Sequence, residues 1–237
     1  MSNDSTSPGE RPTACFSKMA LLMMASMSGM SRTLAGGIES ARMPDLDPAL
    51  VRLLDEDARV RRDAVDAVDL TSSPGRFALR QSLLADADAQ VRAAAAHRLG
   101  DARDARFIPA LLESLGDAMP SVRDRAWRAL ARLGAEALLS PARRAAREEP
   151  VWWVRRAAVR AAASLATPEA LEVLMIALED PFWRVRHAAV QALGWLGAED
   201  ARVRERVQQA AERTPQGPLR SAATYLEGVW REAPSRP

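Results

Sequence analysis

The stretch Asp180-Pro-Phe-Trp-Arg-Val-Arg-His-Ala-Ala-Val-Gln-Ala-Leu-Gly-Trp-Leu-Gly197 decides the fold. Its centre is Val185-Arg186, with an acid five residues earlier, Asp180, and an alanine four residues later, Ala189. The same signature occurs four more times. The Val-Arg pairs are Val60-Arg61, Val91-Arg92, Val122-Arg123 and Val154-Arg155. The acids are Asp55, Asp86, Asp117 and Glu149, and the alanines Ala64, Ala95, Ala126 and Ala158. Successive valines lie 31, 31, 32 and 31 residues apart. A fixed period of this length marks a stacked repeat array. With Val at position zero, positions +4, +7 and +11 fall on one stripe of a helix, since each residue advances ~100°. In the fifth copy these are Ala189, Ala192 and Leu196; in the third, Ala126, Ala129 and Leu133.

A shorter apolar segment precedes each acid: Leu50 to Leu54, Phe77 to Leu84, Phe107 to Leu115, Leu171 to Leu178. Each unit therefore reads as two antiparallel helices that bury their apolar faces only by stacking on neighbours. Asp180 to Gly197 resembles the consensus of short HEAT-like repeats, as in phycobilisome lyases and in artificial α-helical repeat proteins. The resemblance runs from about Asp47 to Val229. It implies an all-α fold, a right-handed α-solenoid of five to six helix pairs with a C-terminal capping helix. It also implies that the acids Asp55, Asp86, Asp117, Glu149 and Asp180 form a structural ladder between units with Arg61, Arg92, Arg123, Arg155 and Arg186.

Composition sets outer bounds. The 237 residues carry a net charge of +2, and Lys18 is the only lysine among 33 basic residues, a skew that fits genome composition better than function. The single cysteine, Cys15, excludes an internal disulfide framework and fits a reducing, cytoplasmic setting. No apolar run approaches the ~18–20 residues of a membrane helix.

Residues 1–14 are polar and expected to be disordered. Residues 15–42 are a Met-rich apolar segment, expected to be helical, with Cys15, Met19, Met23, Met27 and Met30 on one face. Three readings stand: a helix of flexible thioethers capping the array or meeting a partner; a secretory signal with Lys18 before the apolar run and Thr33-Leu34-Ala35 as cleavage site; a soft Cu(I) site. Asp4, Glu10 and Arg32 oppose the second, and the lack of a nearby second Cys or any His opposes the third. Met43 is an alternative start. The array is expected over 45–214. Thr71 to Gly75 separates the first two units, Leu99-Gly100 ends a second helix a turn early, and Pro109 and Pro141 suit first turns of helices. In the fourth unit Arg143, Arg144 and Arg147 replace leucines, a solvated face or a basic patch on the convex side. Glu199 to Thr214 reads as another first helix. Residues 215–237 hold the cap helix, Leu219 to Glu232, and a fraying tail.

Second helices are expected to line the concave face, exposing positions −2, −1, +2, +3 and +6 from Val. In the artificial relatives these are the positions varied to make binders. The fourth unit carries Trp152, Trp153, Arg156, Ala157 and Arg160 there. The fifth carries Trp183, Arg184, His187, Ala188 and Gln191, and the third adds Arg128. The first two units are blander, with Arg59, Arg62 and Asp66, then Gln90, Ala93 and His97. Trp and Arg dominate interface hot spots, so this set is the candidate partner-binding patch. The competing reading packs Trp152 and Trp183 between units. Trp127 and Trp195 are expected to be packed.

No catalytic constellation, cofactor site or metal site is expected. His97 and His187 are the only histidines, there are no His-Glu pairs of the kind used by di-iron HEAT-repeat hydroxylases, and no Gly-rich phosphate loop or nucleophile elbow occurs. The expected function is a non-enzymatic scaffold holding a protein or peptide. Two alternatives remain. Trp152-Trp153 is similar to the adjacent tryptophans of helical-repeat DNA glycosylases, which implies nucleic-acid binding, although Val154-Arg155-Arg156 stand where that family has a carboxylate. The phycobilisome relatives imply a bilin lyase-like chaperone. Partner identity and oligomeric state are not legible.

Overall fold

The acid of each signature ends up in the turn before a second helix, where its carboxylate accepts the backbone N–H two residues on. The bonds are Asp55 to Asp57, Asp86 to Asp88 and Asp117 to Met119 at 2.8 Å each, Glu149 to Val151 at 3.0 Å and Asp180 to Phe182 at 2.7 Å. That turn is what repeats. A computed structural model describes residues 47–214 and 216–232, so the expectations for residues 1–46, for Pro215 and for the tail after 232 lie outside the described residues.

Twelve helices and no strand occur among the described residues, in six successive pairs. They are α1 Pro48–Arg52 with α2 Ala58–Val65, α3 Ser73–Ala85 with α4 Ala89–Asp101, and α5 Ile108–Glu113 with α6 Pro120–Arg132. Then come α7 Leu139–Glu148 with α8 Trp152–Ala163, α9 Pro168–Ala177 with α10 Trp183–Glu199, and α11 Ala201–Arg213 with α12 Pro218–Glu232. Starts are capped by Asp47, Asp57, Ser72, Thr167 and Asp200, each side chain accepting a first-turn N–H. Each such cap contributes ~1 kcal/mol. Two boundaries differ from expectation. Ser73 to Gly75 form the first turn of α3 instead of a separator. Helix α4 runs through Gly100 to Asp101 and matches α6 at 13 residues. Gly100 is there for packing: a Cβ would lie 2.7 Å from the Ala129 Cα.

The chain divides into two compact units, Met1–Ala95 and Ala96–Pro237. In the second, α6, α8, α10 and α12 pack in that order as one layer, and α7 and α9 pack side by side in the other. The signature valines Val91, Val122, Val154 and Val185 and all five signature alanines have no exposed surface. The buried stripe continues at +5 and +8, through Val65, Ala96, Trp127 and Val159, then Val68, Leu99, Leu130, Ala162 and Leu193. The expected +7 and +11 positions are less consistently covered, Ala192 and Leu196 being half-exposed.

The signature arginines link consecutive turns. Nη1 of Arg123 donates to the carbonyls of Asp117 (2.8 Å) and Ala118 (3.1 Å), while Nε and Nη2 grip Glu149 of the next turn at 2.9 and 2.7 Å. Arg155 repeats this with Glu149 and Pro150 carbonyls and with Asp180 at 2.6 and 3.0 Å. Arg61 does so with Asp55 and Glu56 carbonyls and with Asp86 at 2.8 and 2.9 Å. Arg92 holds the carbonyls of Asp86 and Ala87. The hydrogen bond to its carboxylate, against the opposing effect of burial, raises the pKa of Arg61 and likewise of Arg155.

The last pair lacks the signature and is held differently. The Trp230 ring lies across α10, its Nε1 donating to the Gly194 carbonyl at 3.0 Å. A Cβ on Gly197 would stand 2.5 Å from that ring. Alanine favours a helix interior by up to ~1 kcal/mol over glycine, but overpacking costs ~1–3 kcal/mol. Gly197→Ala is therefore expected to lose about 1–2 kcal/mol in urea unfolding. A gain would mean that the ring is not pinned.

Candidate functional site

The turn Asp180 to Trp183 places two aromatic rings at the start of α10, and α8 opens on two more. Phe182 stacks on Trp152 of the preceding unit, centroids 4.3 Å apart and planes 24° apart. Arg184 sits over three rings: Trp152 at 5.4 Å, Phe182 at 5.9 Å and Trp183 at 4.8 Å. Arg156 approaches Trp152 at 5.4 Å. Trp183 is 54% exposed, with the His187 ring 6.3 Å away. Trp152, Arg156, Trp183, Arg184 and His187 thus come together, with Phe182 as the member that register alone missed. The signal that could have found it is its place two residues after the turn acid, which fixes its backbone. Of the two sequence readings for the −2 tryptophans, each describes one residue: Trp152 packs between units, whereas Trp183 stands in water.

The other candidates lie apart. Trp153 is half-buried, and Arg160 and Gln191 are exposed. Arg128 is ion-paired along its own helix with Asp124 at 2.8 Å. Ala157 and Ala188, expected to be exposed at +3, are only 7% exposed because small residues there let second helices close up. Trp127 is buried, but Trp195, expected to be packed, is 62% exposed, and Tyr225 on α12 is 63% exposed. His97 Nδ1 accepts from Arg132 at 2.9 Å, and its Nε2 faces Asp101 at 3.5 Å. A guanidinium only donates, so this fixes the tautomer. The histidines lie on different helices, and no His/Cys/Asp/Glu cluster of metal-binding kind occurs among the described residues.

Two grooves mark this part of the chain. One, of about 1010 Å³, runs between α10 and α12 past Arg186, His187, Gln191, Trp195 and Tyr225. The other, of about 540 Å³, lies on the first helices between Arg143, Arg147, Arg206 and Arg213, with Glu172 hydrogen-bonded to Arg143. The arrangement offers stacked rings with cations over them. No described helix is long and apolar enough to cross a membrane.

The sequence matches the family model described as HEAT repeats over residues 77–162 and 140–226, together more than half of the chain. No curated protein matches it. Among solved structures, an engineered protein from the Northeast Structural Genomics Consortium aligns with TM-score 0.54 and 17% identity, covering 78% of this chain and 96% of that one. The designed armadillo repeat protein YIII(Dq)4CqI aligns with TM-score 0.51 and 19% identity, covering 77% and 98%. The CpcE and CpcF complex of phycocyanin lyase from Nostoc sp. PCC7120 aligns at TM-score 0.39 and 19% identity, covering 85% and 97%. At these identities the likeness to the engineered protein and to the designed armadillo repeat protein is one of fold.

Proposed function

The chain belongs to the HEAT-repeat family, and from that premise we propose that it is a non-catalytic scaffold that holds a partner protein or peptide on the face formed by its second helices. The observation that carries this is the cluster of Trp152, Phe182, Trp183, Arg156 and Arg184, in which cations lie over the rings and Trp183 is open to water. Rings supply apolar area, and each exposed cation–π contact contributes ~0.5–1 kcal/mol. The arginines keep free edges for carboxylates. The proposed binding set also includes Trp153, Arg160, His187, Gln191 and Arg128. The single cysteine supports a reducing, cytoplasmic place of work.

The test is affinity capture with the whole chain, followed by titration of the purified partner. Trp183→Ala with Arg184→Ala should weaken binding by roughly 100-fold, from a loss of ~2–4 kcal/mol, with unchanged helical content. The pair Trp153→Ala with Arg156→Ala should do the same. Unchanged affinity in both would remove the cluster from the interface.

Arginines over stacked aromatics also favour a second reading, nucleic-acid binding. It requires log K to fall by ~0.9 per phosphate neutralised as log salt rises. The carboxylate in the turn that carries the rings, Asp180, is committed to Arg155 and to the Phe182 N–H. This makes glycosylase chemistry the weaker form of that reading.

A further inference from the structure

The ladder does not end where the array ends. In the rungs of Arg61, Arg123 and Arg155 the guanidinium works by two edges: Nη1 holds two carbonyls of its own turn, and Nε with Nη2 takes the carboxylate of the next turn. Arg186 keeps the first half, donating from Nη1 to the carbonyls of Asp180 at 2.8 Å and Pro181 at 3.0 Å. The second half is missing. The sequence before α12 reads Thr214-Pro-Gln-Gly-Pro218, with no acid, and Arg186 has no ion pair among the described residues. Glu179, the carboxylate just before the Asp180 turn, accepts instead from the Leu219 backbone N–H at 3.2 Å.

Arg186 is half-buried and lines the groove between α10 and α12. Two carbonyls hold its inner edge, so its outer edge is set in the orientation that grips a carboxylate in the other rungs. A preorganised guanidinium fork binds a carboxylate bidentately at little entropic cost. Beside it, Trp195 and Tyr225 are 62% and 63% exposed, and Val229 is 36% exposed, an unusual amount of apolar surface in one groove. We propose that this groove binds a short segment of a partner protein by one internal Asp or Glu side chain, taken by Arg186, with a neighbouring apolar side chain against Trp195 and Tyr225. The choice of an internal acidic residue follows from the filled rungs, each of which takes a side-chain carboxylate from a continuing chain. The inference rests on the partner-binding reading but uses residues outside the Trp183–Arg184 cluster.

The whole chain is tested on an array of end-blocked octapeptides with randomised flanks and either Asp or Asn at the fourth position. Asp peptides with an aliphatic or aromatic neighbour should be retained in roughly tenfold excess or more over their Asn counterparts. R186K keeps the charge but cannot hold both carbonyls and both carboxylate oxygens, so it should bring the ratio near one. W195A with Y225A should weaken both peptide sets and leave the ratio intact, with circular dichroism confirming the fold of each variant. Equal retention of Asp and Asn peptides, no retention, or a preserved preference in R186K would each overturn the proposal. If R186K changes nothing while the Trp183 and Arg184 variant still loses its partner, this inference fails and the scaffold reading stands.

Discussion

Arg155→Ala should lower stability by about 3–5 kcal/mol and the melting temperature by roughly 10 °C. The Asp180 side chain in this rung is 1% exposed and the Arg155 side chain 11%. Removing the arginine leaves a carboxylate with almost no access to water and no cation. It also takes the donor from the carbonyls of Glu149 and Pro150. The loss therefore reflects a stranded charge more than the net worth of the pair. Arg155→Met with Asp180→Leu should recover most of it, because apolar replacement removes both charges together. Arg61→Ala should cost less, since Asp86 is 9% exposed and can rehydrate. Denaturant unfolding of the three variants checks the order. Equal and small losses would mean that water reaches every rung.

The pairing also fixes the pH window. The folded-state pKa of Arg155 is raised, chiefly by the Asp180 hydrogen bond. Stability from that shift is fully present below the ordinary guanidinium value and is lost only as pH climbs through the raised one. From the arginine side the rung is constant through neutral and mildly alkaline pH, and unfolding midpoints between those limits should show no step from it.

The period was legible because one turn uses the same residues for several tasks: the acid shapes its own turn and receives the arginine before it. Losing either residue of a complete rung breaks two contacts, and spacing alone exposes the pattern. The buried valines and alanines were readable for the same reason, since Ala at +4 has no room to vary. What could not be read depends on the neighbouring unit. Trp195 is exposed because it lines a groove left open between α10 and α12. Trp152 is covered because Phe182 arrives from the next turn. Ala157 and Ala188 face outward by helical angle yet are shut in by how closely small residues let second helices approach. Gly197 gives room to Trp230, thirty-three residues away in sequence. A helical wheel knows a helix's own angles and nothing of which side chain the next helix sends.

Trp230→Ala should cost about 3–5 kcal/mol, the usual range for removing a buried aromatic ring, and the damage should stay local. Trp230 is 7% exposed, bonds Gly194 through Nε1 and fills the space that Gly197 leaves. Among the described residues the final pair packs on a neighbour on one side only, and in a stacked array stability is a sum of unit and nearest-neighbour terms. Amide hydrogen exchange should show α11 and α12 losing protection while α6 and α8 keep theirs. Helix α12 is one wall of the groove at Arg186. The same variant should therefore lose the acidic-peptide preference although Arg186, Trp195 and Tyr225 are untouched. Uniform loss of protection from α6 through α12 would instead mean that these pairs unfold as one cooperative block, and that the end pair is not an independently weighted term.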